Sequence, residues 1–105
     1  MSVANVVSME FENEQALQDF AARYDKVAPI HYPQAEIIMF VKTDEQSGLG
    51  ISIYPSEEAR EVGNQKRNQE VNTTEMATLM KEIFRVKGDV LVKHIMTLRK
   101  NVSGR

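Results

Sequence analysis

The chain has 105 residues, 42% of them hydrophobic and 27% charged, the size of a single domain spanning residues 1–105. Thirteen Lys and Arg stand against fifteen Asp and Glu, a net charge of −2, which argues against a nucleic-acid binder. The absence of cysteine excludes disulfide frameworks, zinc fingers and thiol catalysis. No apolar run reaches the ~20 residues of a membrane span and no signal peptide is visible, so a soluble, cytoplasmic domain without membrane partners is expected.

Val3 to Phe11 alternates, with Val3, Val7, Met9 and Phe11 on one face and Ala4, Val6, Ser8 and Glu10 on the other, a strand pattern. Asn13 is a candidate N-cap. Leu17, Phe20, Ala21, Tyr24, Val27 and Ala28 then follow helical spacing, giving one apolar stripe that packs on a sheet. Pro29 and Pro33 bracket the expected helix exit.

Ala35 to Thr43 is almost continuously apolar, as in a strand covered on both faces. A polar turn, Asp44 to Gly48, leads to a second run from Leu49 to Tyr54, so the two strands are expected to form an antiparallel hairpin. Ser56 can cap a following helix whose first residues, Glu57 and Glu58, suit the positive end of the helix dipole. The stripe after them, from Ala59 through Gly63 and Lys66 to Met76 and Phe84, is polar in its middle. Residues 57–86 therefore read as one long helix or as two that meet near Asn72, where NTTE resembles a capping box. Gly88 suits a helix C-terminus. Asp89 to Leu98 is expected as the last strand, with Val90, Val92, His94, Met96 and Leu98 on one face.

This order, β-α-β-β-α-β, specifies an α+β, ferredoxin-like domain: a four-stranded antiparallel sheet with both helices on one face. The strands carry apolar residues on both sides, as in Val6 beside Val7 and Ile38 beside Met39. A bare apolar sheet face would expose several hundred Å² on a monomer. The simplest resolution is a homodimer, two copies packed sheet to sheet.

With that order in hand, the run ISIYPSEEA at 51–59, the Lys66–Arg67 pair on the following helix and Gly88-Asp89-Val90 before the closing strand resemble the dimeric α+β barrel superfamily. That superfamily includes the antibiotic-biosynthesis-monooxygenase-like (ABM-like) domains. The resemblance spans most of the chain. It implies a homodimer whose two sheets form a barrel, with a pocket between sheet and helices in each subunit. It also implies activities that need neither metal nor flavin, so no cofactor is expected. Enzymatic members oxidise polycyclic aromatics, degrade haem or isomerise small lactones. The first two lean on a tryptophan, and this chain has none.

The candidate catalytic residue is His94, read as mid-strand on an apolar face, where its imidazole would act as a proton acceptor; the competing role is a core or interface histidine. Candidate ligand-binding residues are Tyr54, Tyr24, Arg67 and His31. Tyr54 stands beside the small Gly50 and Ser52, which leave room for a ligand or for a partner's side chain. Tyr24 lies on the first helix stripe, with a simple core role as its alternative. Arg67 would stabilise an anion if its helix faces the sheet and would be solvated otherwise. His31 sits in the loop after the first helix, at one end of the sheet.

The terminal charges Arg85, Lys87, Lys93, Arg99, Lys100 and Arg105 read as a solvated end or as a dock for an anion or an acidic partner. Phosphate-loop, dinucleotide-binding, zinc-protease and serine-hydrolase motifs are all missing, and the third strand lacks the aromatic and basic residues of an RNA-recognition domain. Two readings remain open. One is a homodimer that binds, and oxidises or isomerises, a small apolar or aromatic organic molecule. The other is a non-catalytic dimeric sensor or interaction module without a pocket. A cavity beside His94 discriminates them.

Overall fold

The computed structural model describes residues 1–73 and 80–96, with side chains described up to Lys66 and again from Met80. Its elements are β1 (Val3–Phe11), α1 (Glu14–His31), β2 (Ile37–Lys42), β3 (Ser47–Tyr54), α2 (Glu57–Thr73) and β4 (Met80–Asp89). The four strands form one sheet in the order β2-β3-β1-β4, and every neighbouring pair is antiparallel. This is the ferredoxin-like β-α-β-β-α-β arrangement that the element order specified. Among the described helices, none is long and apolar enough to cross a membrane.

The pairing register sorts the side chains into two faces, because residues directly opposite in a ladder share a face. Val3, Asn5, Val7, Met9 and Phe11 of β1 face the helices and are all buried. They share that face with Ile38 and Phe40 of β2 and with Gly48, Gly50, Ser52 and Tyr54 of β3. A Cβ at Gly50 would stand 2.7 Å from the Met9 Cε, so the missing side chain on β3 is the space that Met9 fills. Gly48 makes room for the Phe40 ring in the same way.

Helix α1 begins where Asn13, in extended backbone, accepts a hydrogen bond from the Ala16 N–H at 2.8 Å. It lays Ala16, Leu17, Phe20 and Ala28 against the sheet. Leu17 is 1% exposed and lies at the centre of the core with Val7, Met9, Phe11 and Phe20. Aromatic rings run through this core in series. Phe11 meets Phe20 at 5.2 Å between centroids, Phe20 meets Phe40 edge-on at 5.2 Å, and Phe20 stacks on Tyr24 at 5.5 Å. The helix runs through Pro29 to His31 rather than ending before it. A proline this close to the C-terminus forfeits one intrahelical bond, and the last turn still closes through the Tyr32 N–H on the Ala28 carbonyl at 2.9 Å.

The largest departure from the sequence reading concerns the last third of the chain. Helix α2 ends at Thr73 rather than running toward residue 86, and the fourth strand is Met80–Asp89 rather than 89–98. The NTTE segment lies partly, and the residues 74–79 wholly, outside the described residues. A β-bulge explains why the strand was hard to read. Ser8 pairs with Phe84 while Met9 pairs with Glu82, which leaves Ile83 as the extra residue. The bulge breaks the period of two, and Ile83 next to Phe84 then mimics a helical stripe. Gly88 is accordingly a strand residue opposite Ala4, with nothing within 4 Å of where its Cβ would be, and not a helix terminus.

Residues 90–95 follow as chain without regular structure. They are tied to the sheet by the Val90 N–H on the Ser2 carbonyl and by Lys93, whose ammonium reaches both Glu36 oxygens at 2.8 and 2.9 Å and Ser2 Oγ at 3.1 Å. These bonds, with the one from Ser2 Oγ, hold the Glu36 carboxyl below its ordinary range. Lys93 is therefore paired and Arg85 and Lys87 belong to the sheet, so the basic end is not uniformly solvated; Arg99, Lys100 and Arg105 lie outside the described residues.

Candidate functional site

The space between sheet and helices closes fully around Leu17 but not toward the Tyr54 end. There a small cavity of about 50 Å³ remains, large enough for a few waters or a small ring. Its apolar floor comes from Val7, Met9 and Ile38, with Gly50 providing depth. Tyr24 from α1, Tyr32 just after it and Tyr54 from the end of β3 form its aromatic wall. These are all three tyrosines of the chain. Tyr24 and Tyr32 are 6.5 Å apart between ring centroids, so the aromatic series of the core continues into the cavity. A wider cleft of about 220 Å³ between α1 and β2 adjoins it, sharing Tyr24 and Ile38.

Tyr54 is 3% exposed and lies flat against α2 at Gly63, where a Cβ would come within 2.5 Å of its hydroxyl. Gly63 thus sets how close α2 approaches β3. The face that Tyr54 shares with Gly50 and Ser52 is turned toward the helices, so the small residues beside it serve the interior and not a partner's side chain.

The remaining wall is polar. Its residues come from β1 (Asn5), β3 (Ser52), α2 (Asn64) and β4 (Arg85). Behind Asn5 stands Arg60 of α2, 4% exposed. Its guanidinium grips Glu57 through two parallel bonds of 3.0 and 2.8 Å and donates to Glu61 at 2.7 Å. A third branch, Nη1, reaches Asn5 Oδ1 at 3.4 Å. Lys87 of β4 also donates to Glu57, at 3.0 Å. The Arg60 bonds first, and the Lys87 bond next, lower the Glu57 carboxyl from 4.5 to about 2. Glu57 is half exposed, so this pair acts mainly to fix Arg60 in place rather than as a large source of stability. In front of it, Arg85 donates to Asn64 Oδ1 through Nη1 and pairs with Glu82 at 3.2 Å. The described lining of the cavity contains no carboxylate and no imidazole.

The structure brings Tyr54 and Tyr24 to the lining of one cavity. It does not bring the histidines to them. His94 lies beyond β4 in exposed, irregular chain and lines none of the cavities found among the described residues. Its expected mid-strand setting is corrected for the reason that moved β4 by nine residues. His31 is half-buried at the end of α1 and its ring stands edge-on to Tyr32 at 6.3 Å, outside the cavity lining. Arg67 falls within α2, and its side chain lies outside the described residues. Val62, expected on the inner stripe of α2, is 49% exposed, and the inner positions are Arg60 and Gly63. Sequence reasoning passed over Tyr32, Arg60 and Asn64, and placed Arg85 only among the terminal charges. Arg60 had a usable signal: it stands three residues after Glu57 and three before Gly63, on the stripe that faces the sheet.

No protein-family model and no curated protein matches the chain. Its fold is shared with solved structures across nearly its whole length. A dimeric ferredoxin-like protein from an uncultured marine organism covers 90% of this chain and 99% of its own, at 18% identity and a TM-score of 0.68. A protein of unknown function from Nitrosomonas europaea covers 90% of this chain and 93% of its own, at 18% identity and a TM-score of 0.74. SnoaB, a cofactor-independent oxygenase from Streptomyces nogalater, covers 88% of this chain and 95% of its own, at 10% identity and a TM-score of 0.68. The fold is therefore that of the dimeric ferredoxin-like and antibiotic-biosynthesis-monooxygenase-like proteins, as the resemblance implied.

Proposed function

We propose that this protein is a homodimer that binds a small aromatic or apolar organic molecule between the sheet and helices of each subunit. The observation that carries the reading is the convergence of all three tyrosines on one cavity with an apolar floor and a few placed polar groups. Such a combination is the usual composition of a small-ligand site. Binding rather than catalysis is the part the geometry favours, since the described lining supplies no group that accepts a proton near neutral pH. Oxidation without a cofactor, the activity of SnoaB, is a second reading supported by the shared fold.

The homodimer rests on the other side of the sheet. Ile37, Met39 and Val41, Leu49, Ile51 and Ile53, Val6, and Phe84 and Val86 make one apolar surface across all four strands. Met39, Val41, Phe84 and Val86 are 41–53% exposed. A second copy is the occupant that matches a surface of this kind on both sides, and the marine ferredoxin-like neighbour is itself dimeric.

Because the chain has no other tyrosines, their ring NMR signals report on the cavity alone. Titration with benzyl alcohol is expected to shift all three sets of ring resonances together. Shifts confined to outer-face residues such as Ile51, with the tyrosine rings unmoved, would contradict the cavity as the site.

A further inference from the structure

We propose that the cavity selects ligands bearing an oxygen-rich anionic head, a carboxylate, because Arg60 and Arg85 turn the asparagine–arginine part of its polar wall into an array of donors only, beside Ser52 and tyrosine hydroxyls that can donate to the same group. The inference rests on the cavity being the ligand site and specifies the chemistry that the site recognises.

An asparagine amide offers an acceptor on one side and two donors on the other, and its neighbours decide which way it points. Arginine has donors and no acceptor, so an amide meeting a guanidinium must offer its oxygen. Two such pairs occur, and they are crossed. Asn5 on β1 gives its Oδ1 to Arg60 on α2, and Asn64 on α2 gives its Oδ1 to Arg85 on β4. In each pair the amide oxygen is committed to arginine, so the Nδ2 hydrogens of Asn5 are the part of that side chain available to the cavity. Arg60 is itself held in place: it is buried, Glu57 and Glu61 bind its other two branches, and Nη1 is left facing Asn5 Oδ1 at 3.4 Å.

Arg85 adds the one formal charge in the described lining, and it is positive; its partner Glu82, 3.2 Å from Nη2, lies outside that lining. It pairs with Val7 in the β1–β4 ladder, two residues along from Asn5, on the same face of the sheet. The diagonal spacing of such neighbours keeps their polar ends within reach of one ligand group. With no carboxylate in the described lining to repel it, an oxyanion entering here meets donors from β1 and β4, while its apolar body rests on Val7, Met9, Ile38 and the tyrosine rings. Arg60 acts through Asn5 and is a positioning residue.

The test compares benzoate with the near-isosteric benzyl alcohol at neutral pH, by calorimetric or NMR titration of the full chain. The wild type is expected to bind the carboxylate about tenfold or more tightly, the ratio one charge-assisted hydrogen bond supplies. Asn5→Asp replaces the donor by a like charge and is expected to erase that preference while the alcohol still binds; Arg85→Gln is expected to reduce it. Arg60→Met frees the Asn5 amide to turn and is expected to narrow the ratio, whereas Arg60→Lys, which keeps a donor, is expected to restore it. A loss of fold would weaken both probes equally, so the ratio separates positioning from stability. Equal affinity for acid and alcohol in the wild type, with tyrosine rings responding to both, overturns the donor-only wall and leaves the cavity as the ligand site. Silence toward both probes brings down the two readings together.

Discussion

The two faces of the sheet start from nearly the same composition and end in opposite conditions. In β1 the odd-numbered residues Val3, Asn5, Val7, Met9 and Phe11 are buried under two helices, and the even-numbered Ala4, Val6 and Ser8 look out from the other side. Along β2 the inner Ile38 and Phe40 pack on α1, while the outer Met39 and Val41 remain over 40% exposed. The inner face tolerates imperfection: glycines at 48, 50 and 63, a buried arginine and an unfilled cavity. The outer face is more uniformly apolar although nothing among the described residues covers it. Burial within one chain therefore does not account for the apolar residues. The proposed second copy would account for the outer set, and the proposed ligand for the gap in the inner one.

That contrast is open to attack from either side. Ile51 lies opposite both Val6 and Met39, at the centre of the outer face. Ile51→Glu would bury an unpaired charge in a sheet-to-sheet contact and is expected to weaken dimerisation by roughly 100-fold or more, measured by sedimentation equilibrium. The variant should keep its far-ultraviolet circular dichroism at a concentration where it is monomeric. On the inner face, Leu17→Ala removes a side chain with 1% exposure and is expected to cost about 2–5 kcal/mol in urea unfolding.

A subtler change separates cavity from core. Gly63→Ala places a methyl against the Tyr54 ring and hydroxyl, and the crowding is expected to cost about 1–3 kcal/mol. It should also move the Tyr54 ring signals and weaken benzyl alcohol binding, which Leu17→Ala would not do selectively.

The smallest effect is electrostatic. Glu57 has its carboxyl lowered to about 2 by Arg60 and Lys87, so its contribution is fully present above the ordinary value of 4.5 and is lost as pH falls from there toward 2. Glu57→Gln is expected to flatten that part of the stability–pH profile in chemical denaturation and to leave the neutral region with little pH dependence of its own. An unchanged acid limb would show that the Glu57–Arg60 pair does not persist in solution.

What was legible in the sequence follows from the same division. The alternation in β1, the capped stripe of α1 and the short turn between β2 and β3 are local patterns, and each is found where the residues put it. Tyr24 and Tyr54 were visible as candidates because each stands on an inward stripe of its own element. The fourth strand was hidden because the bulge at Ile83 displaces the alternation at the point where a helix pattern was already running. That single displacement carried His94 with it, out of the sheet and away from the cavity. The polar wall was illegible for a different reason: Asn5 and Arg60 are 55 residues apart, and only the packing of α2 over β1 makes them a pair.

The division between a face completed by ligand and a face completed by a second copy is tested most directly by the mass of the wild-type chain in solution. Light scattering during size-exclusion chromatography, repeated over a wide range of loading concentrations, is expected to give twice the 11.9 kDa of the single chain throughout. A mass of 11.9 kDa that persists at the highest concentration would contradict the account, since the outer face would then be bare in the working protein.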